Sequence, residues 1–352
     1  MTEISRYGAS VYSLSPSKLR ELQELDKMRS VRAIVIVWIE IFAIVSVAQY
    51  VLSTNYFWMF YVPLSLLIAG RQGALLQLAH EGSHGLLTQS KKLNDLLANW
   101  FCTLPVGVSF EGFTTGHLRH HAGVGTDEDP RSDIEKYRIV DFRKPILYLL
   151  LVKDLIGLTA LLVFREYTRK TVSPSDKQRR GAAVVKKMVH MCIAQAVVVF
   201  VLFQGISVID TGSLNLSYSR LFDSLVAYVL FWIVPAVGPN MFLMRFRGIA
   251  EHGLSRQLNI QTNRQDSGMY YTRSFLTPKR QYSFRIAVWI ERILIGSFNI
   301  NYHHEHHLYP KVPWYNLPTL HALIGDQILK QNSDVYARGY FSAAMRNVLA
   351  EN

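Results

Sequence analysis

Most of the 12 histidines fall into four short groups. HEGSH carries His80 and His84, and HLRHH carries His117, His120 and His121. HHEHH carries His303, His304, His306 and His307, and AEHG carries His252. Only His190 and His321 lie outside these groups. A neutral imidazole is a good ligand for a transition metal. On a helix, residues i and i+4 share one face, so His80 and His84 can point at one ion. His117 with His120 and His121 forms an i, i+3, i+4 set, and His303 with His306 and His307 repeats it. Such a set can bind one ion or straddle two. Adding His252 makes nine candidate nitrogen donors. Structural zinc usually takes four ligands, so this number suits two ions of four to five donors each. His304 falls off the set and reads as non-ligating. Glu81, Glu251 and Glu305 each adjoin a candidate ligand. Each is placed either to hold a histidine Nδ1–H from behind or to sit solvated on the surface. His190 reads as an interface or packing residue, and His321 as part of an exposed C-terminal stretch.

The elements that must position these groups are apolar blocks. Of 352 residues, 49% are hydrophobic and 18% charged, against about 25% charged in ordinary soluble domains. A membrane span needs about 20 mainly apolar residues, and four segments qualify: 33–52, 56–79, 188–209 and 221–244. The first two form a hairpin around Ser53-Thr54-Asn55. Arg71, in the second, is expected to snorkel to the interface. Pro235 and Pro239 are expected to kink the fourth. The first apolar run begins near residue 33 and is span-length, so it reads as a span rather than a cleaved leader. Pro145–Phe164 carries Lys153 and Asp154 at its centre, and Ile286–Ile300 carries Glu291 and Arg292. Both are expected to lie in the headgroup layer, as is Asn94–Phe110, where Pro105 and Gly107 oppose a clean span.

The net charge of +12 follows from loops on one side of a membrane more simply than from nucleic-acid binding. Arg6, Lys18, Arg20, Lys27, Arg29 and Arg32 precede the first span, and 80–187 and the chain after Gly248 are basic. The Ser53–Asn55 turn has no basic residue. The positive-inside rule puts both termini and both large loops in the cytoplasm. An even number of spans then separates the histidine groups, so all of them can meet on one side. With Cys102 and Cys192 as the only cysteines, a disulfide scaffold and a thiolate metal site are excluded.

HEGSH, HLRHH and YHHEHHLYP, in that order around four spans, resemble the three histidine boxes of the membrane fatty acid desaturase superfamily. The likeness runs over roughly residues 33–315, and His306-His307-Leu308-Tyr309-Pro310 is similar to the form common in acyl-lipid desaturases. It implies an all-α integral membrane protein, a single domain over 1–352. Four transmembrane helices would carry a cytoplasmic helical cap (80–187 and 245–352) with a histidine-rich dimetal site. It further implies two non-haem iron ions that use O2 and two electrons on an unactivated C–H bond. By motif, the ligands would be His80, His84, His117, His120, His121, His303, His306 and His307. The extra histidine between boxes two and three corresponds to His252. Some members have an Asn one turn earlier that ligates through water; here that position is Gly248. AEHG is closer to bacterial members acting on non-standard substrates, which suggests a bacterial inner membrane.

The expected reaction is desaturation of an acyl chain or acyl-lipid. The alternative is hydroxylation or a related oxygenation of another apolar or amphipathic metabolite at the same site. A metal transporter or store would put ionisable ligands deep within spans, whereas these histidines lie at span ends and in loops. The chain has no HPGG motif and no cysteine set for an iron–sulfur cluster. A separate electron donor is therefore expected: a ferredoxin, a rubredoxin, or cytochrome b5 with its reductase. Basic residues such as Lys91, Lys92, Arg179 and Arg180 suit an acidic donor or anionic headgroups.

Overall fold

The computed structural model describes residues 12, 14–124, 144–160, 177–204, 217–252, 272–275, 285–331, 333–337, 339–340 and 343–344. Four of its helices are long and apolar enough to cross a membrane. A short helix, α1 (Pro16–Leu22), precedes the first of them, α2 (Lys27–Leu52). Asp26 opens α2, its carboxylate accepting the N–H groups of Met28 and Arg29 at 2.9 and 3.2 Å; an acidic cap stabilises a helix start. Ala33, Val37, Ile41, Val45 and Ala48 form one buried stripe of α2. Val35, Ile36, Ile39 and Val47 are exposed on its other faces. A helix apolar all round, with only one stripe covered by protein, belongs in lipid.

The second long helix, α3 (Phe57–Ser83), changes character along its length. Trp58, Met59 and Val62 are exposed near its start, while Ile68 to Leu75 and Leu78 to Gly82 are buried. Its 27 residues make about 40 Å at 1.5 Å per residue, longer than a hydrocarbon core of about 30 Å. The first histidine pair stands at the far end of this length, with His80 in the last turn and His84 as the C-cap. After Gly85 the chain runs through α4 (Lys91–Leu97), a π turn (Ala98–Thr103) and a 3-10 turn (Leu104–Val106). Gly107 ends it in the left-handed region at φ 82°. Asn94–Phe110 is therefore not a clean span, and it leads into α5 (Phe110–Gly123), whose N-cap Ser109 accepts the Gly112 N–H.

At 12 residues, helix α6 (Lys144–Leu155) is shorter than the about 20 residues a span needs. It packs on the last part of the fourth span, where Arg245 grips the buried Asp154 with Nε and Nη2, and Thr159 adds a hydroxyl. The charge at the centre of this apolar stretch is thus paired against protein. The remainder of that stretch, 161–164, lies outside the described residues, as does 205–209 at the end of the third span. That third span is α7 (Lys177–Val198) with a π turn through Gln204.

The fourth span comprises α8 (Tyr218–Tyr228), a π turn (Val229–Ile233), α9 (Val234–Val237) and α10 (Pro239–His252). Both prolines lie at interruptions of this span, as expected. Pro235 sits in the first turn of α9 and Pro239 opens α10, positions that suit proline. The break itself falls on Gly238, where a Cβ would meet the Leu155 carbonyl oxygen. Glycine lets the end of α6 plug into the opened span.

Arg71 also departs from expectation. It does not snorkel but is buried, with Nη1 2.9 Å from Glu40 and Nη2 3.0 Å from the Ser297 hydroxyl and bonded to the Ile293 carbonyl. That end of α3 is wrapped by protein, so the guanidinium finds carbonyls instead of headgroups. The partner element is α11 (Arg285–Leu294), which exposes Trp289 and Ile290. Gly70 allows its close approach, since a Cβ there would sit 2.6 Å from the Ile293 oxygen. The short helix α12 (His303–Leu308) and α13 (Leu317–Gln331) follow. The two-residue strand β1 (Ser274–Phe275) pairs in parallel with β2 (Tyr336–Ala337), a small exception to an all-helical fold.

Candidate metal centre

Four helix segments deliver the histidines to one place. His80 lies in the last turn of α3 and His84 is its C-cap. His117, His120 and His121 lie on α5, His252 ends α10, and His303, His306 and His307 lie on α12. Their nitrogens sort into two adjacent groups. His80, His84, His117, His121 and His306 each offer a nitrogen within 4.8 Å of the others. His120, His252 and His307 form a second such set, and Glu251, His252 and His303 a third that shares His252. Box two therefore straddles the groups, with His117 and His121 on one and His120 on the other. Box three divides the same way, with His306 on the first and His303 and His307 on the second. The His121 and His307 rings stack across the boundary at 4.1 Å.

The donor set fits metal ions. His84 Nε2 lies 2.8 Å from His117 Nε2, His252 Nε2 3.0 Å from His303 Nε2, and His121 Nε2 3.2 Å from His306 Nε2. With metal–nitrogen bonds of about 2.0–2.1 Å, donors around one ion stand about 2.9 Å apart at a right angle and about 3.3 Å apart in a tetrahedron. Five nitrogens within one small sphere exceed what pairwise N–H···N bonds can satisfy; a cation at the centre satisfies all of them. His303 Nδ1, His306 Nδ1 and His307 Nε2 are buried without a hydrogen-bond partner among the described residues.

Burial keeps the imidazoles neutral, as metal ligation requires. Desolvation, helped by the Lys311 charge, lowers the His84 pKa to about 3. His121, His303, His306 and His307 are held well below the ordinary value by burial first and by neighbouring positive or titratable groups second.

The three acids are all buried rather than solvated, and they differ. Glu81 Oε1 is 3.5 Å from His80 Nδ1, and its Oε2 accepts the Trp314 N–H at 2.9 Å. Glu251 accepts Arg247 Nε–H at 2.7 Å and the Tyr340 hydroxyl at 3.3 Å. Its other oxygen is 3.7 Å from His303 Nε2, on the donor side of the ring rather than behind it. Glu305 faces away from both groups. It accepts His321 Nδ1–H at 2.5 Å, the Tyr336 hydroxyl at 3.0 Å and the Ser274 hydroxyl. Burial alone would raise the Glu305 carboxyl, but His321, His304 and Ser274 hold it below the ordinary range. His321 is therefore not merely an exposed C-terminal residue, because it anchors α12 from α13.

His304 is off both groups, fully buried, with Nδ1 2.8 Å from the Thr272 hydroxyl, and burial lowers its pKa to about 4. His190 packs on Trp100. Gly248, where some desaturases have a water-linked Asn, has open space where a side chain would start. Lys91 is paired with Asp95, and the Arg179 and Arg180 side chains lie outside the described set. His321, Tyr336, Ser274, Thr272, Tyr340 and Trp314 carried no sequence signal, since they reach the centre from separate elements. Arg247 did, as an i, i+4 partner of Glu251.

The fatty acid desaturase family profile matches residues 56–338. The match begins at α3, later than the likeness read from the motifs, and extends past them to β2. Among curated proteins, dihydrorhizobitoxine desaturase of Bradyrhizobium elkanii is 26% identical over 324 residues, covering 89% of this chain and 80% of that protein. The histidine centre, the four apolar helices and this match lead to one conclusion: the chain belongs to the fatty acid desaturase family.

Proposed function

We propose that the protein is a membrane-bound di-iron oxidoreductase that uses O2 and two electrons to desaturate an apolar or amphipathic substrate. The observation that carries this reading is the convergence of nine imidazoles from distant segments into two adjacent groups. His80, His84, His117, His121 and His306 would hold one ion, and His120, His252, His303 and His307 the other, with Glu251 beside them. Bound iron supplies the O2-dependent oxidation that removes hydrogen from an unactivated C–H bond. The chain's own residues do the rest. Burial keeps the imidazoles unprotonated and so available as donors. Arg247 and Tyr340 orient the Glu251 carboxylate, and the Trp314 backbone N–H orients Glu81. The Glu305 network braces α12, so that the third box keeps its position while substrate enters.

Desaturation is preferred to hydroxylation because the relative is named a desaturase. That protein's name gives dihydrorhizobitoxine as its substrate, which supports the bacterial affinity of AEHG and a substrate other than a plain acyl chain. The basic segments support cytoplasmic termini in a bacterial inner membrane and a separate ferredoxin, rubredoxin or cytochrome b5 as donor. The test is to purify the protein in detergent, measure bound metal, and follow O2 consumption and product mass with a reduced donor. About two irons per chain and a product lighter by two hydrogens are expected. A single zinc per chain, or a product heavier by one oxygen, would refute the di-iron or the desaturase part respectively.

A further inference from the structure

We propose that Glu251 is a direct ligand of the second ion through Oε2, which makes that position a mixed nitrogen–oxygen site, and that Tyr340 is the residue that aims it. This rests on the reading of the histidine groups as a two-ion centre. It adds an anionic donor to a set that the motifs alone make all imidazole. A carboxylate oxygen of Glu251 and one nitrogen each of His252 and His303 lie within 4.8 Å of one another. The two oxygens of this carboxylate keep different company. Oε1 accepts Arg247 Nε–H at 2.7 Å and the Tyr340 hydroxyl at 3.3 Å. Oε2 lies 3.7 Å from His303 Nε2, which is itself 3.0 Å from His252 Nε2. At 3.7 Å an oxygen and a ring nitrogen form no hydrogen bond, whereas donors about 2.1 Å from a shared cation stand about 3.6 Å apart at 120°.

Electrostatics gives the reason for an acid here. Glu251, Arg247, His252, His303 and Tyr340 are all buried. Nine neutral imidazoles around two dications leave the whole metal charge uncompensated in a buried site, and Arg247 adds another positive charge. A carboxylate between the guanidinium and the ion offsets both, since charges out of water need close partners. An anionic oxygen also makes the second position the harder of the two in its choice of metal. The first group has no equivalent: Glu81 Oε1 lies 3.5 Å from His80 Nδ1, outside the donor set.

Tyr340 holds the carboxylate from a fixed seat. It stands two residues beyond the 56–338 match to the family profile. Its ring stacks on Phe275 with centroids 4.0 Å apart. Gly296 makes room for it, since a Cβ there would come 3.1 Å from Tyr340 Cε2. Arg247, one helical turn before Glu251, meets the same oxygen along α10. A phenol and a guanidinium on Oε1 leave the carboxylate little freedom to turn, and Oε2 is thereby directed at the donor side of His303.

The test loads the metal-free protein in detergent with Fe2+ under argon and reads two signals, neither of them turnover. The infrared difference between loaded and metal-free protein should contain a shifted carboxylate stretch, present in Glu81→Gln and absent in Glu251→Gln. In chelator competition, Glu251→Gln should give up one of its two ions at least about tenfold more readily than the wild type and keep the other equally well. Tyr340→Phe should keep both ions and the carboxylate band, displaced in frequency, because the ligand stays and only its orientation loosens. Two bound ions with no carboxylate shift in the wild type would overturn the proposal while the two-ion reading stands, and this arm needs no variant to fold. A Glu251→Gln protein that holds both ions as the wild type does would overturn it as well. So would one that loses both equally, since Glu251 would then brace the fold rather than bind an ion. Uptake of a single ion by the wild type, with a carboxylate shift that Glu251→Gln abolishes, defeats the two-ion reading and upholds Glu251 as a ligand.

Discussion

The two histidine groups are built from the same side chain yet are not equivalent. The first draws five imidazoles from α3, α5 and α12 and contains no carboxylate. Its nearest acid, Glu81, stands behind His80 and is tied to the Trp314 backbone. The second draws four imidazoles from α5, α10 and α12 and includes the carboxylate of Glu251 among its donors. That carboxylate is itself held by Arg247 and Tyr340. One ion would therefore be held by neutral donors alone, and the other by neutral donors beside a charge already half committed to a guanidinium. The difference shows that a symmetric-looking motif, HxxHH used twice, still yields two chemically distinct positions, because a third helix brings an acid to only one of them.

The largest effect that would break this comparison comes from removing one donor from each group. His306→Ala, in the first, and His120→Ala, in the second, should each bring turnover to background and bound metal from about two ions per chain to about one. Membrane insertion should remain normal, and metal analysis with an activity assay checks both. A variant retaining full turnover would show that its histidine is not a ligand. Next in size, Glu251→Gln takes the charge from a carboxylate within the second group of donors and should weaken metal retention or activity at least as much as losing an outer partner, roughly 10- to 100-fold. Glu81→Gln should cost less, as its carboxylate stands outside the donor set. Equal losses measured by chelator competition would erase the asymmetry.

Acid should act on both groups. The folded chain keeps these imidazoles unprotonated, whereas the unfolded chain binds protons near pH 6.5. Acidification therefore favours the unfolded state. Stability is full above about pH 6.5 and falls as pH drops toward about 3 for His84 of the first group, and the buried His304, off both groups, adds the same loss toward about 4. Thermal unfolding of the metal-free protein should come at a lower temperature at pH 5 than at pH 7.5; the opposite order would mean the imidazoles are not held neutral. The smallest effect concerns the brace behind both groups. Tyr336→Phe removes one hydrogen bond to Glu305 and should cost about 1 kcal/mol of stability, read as a small shift in denaturant midpoint with metal content retained.

Much of the site was legible beforehand because metal chemistry needs particular side chains at helical spacing. His80 with His84, and the two i, i+3, i+4 sets, announce themselves, and His252 follows from its place at the end of a span. The spans were equally readable, since a lipid-facing helix must be apolar on every side. Arg71 and Asp154 were less readable. A charge in an apolar run reads as an interfacial residue, but here Ile293, Ser297 and Arg245 arrive from distant segments to pair with them. Glu305 was the least readable, since its place among four histidines says nothing about which way its side chain points.

By itself the sequence determined the donor types, their helical spacing and the number of apolar spans, because periodicity and composition are local properties of a chain. Only the tertiary structure decided which imidazoles share an ion, which acid joins them and where Glu305 turns. Those outcomes depend on where α3 and α10 end and on how α5 and α12 meet them, and packing sets both.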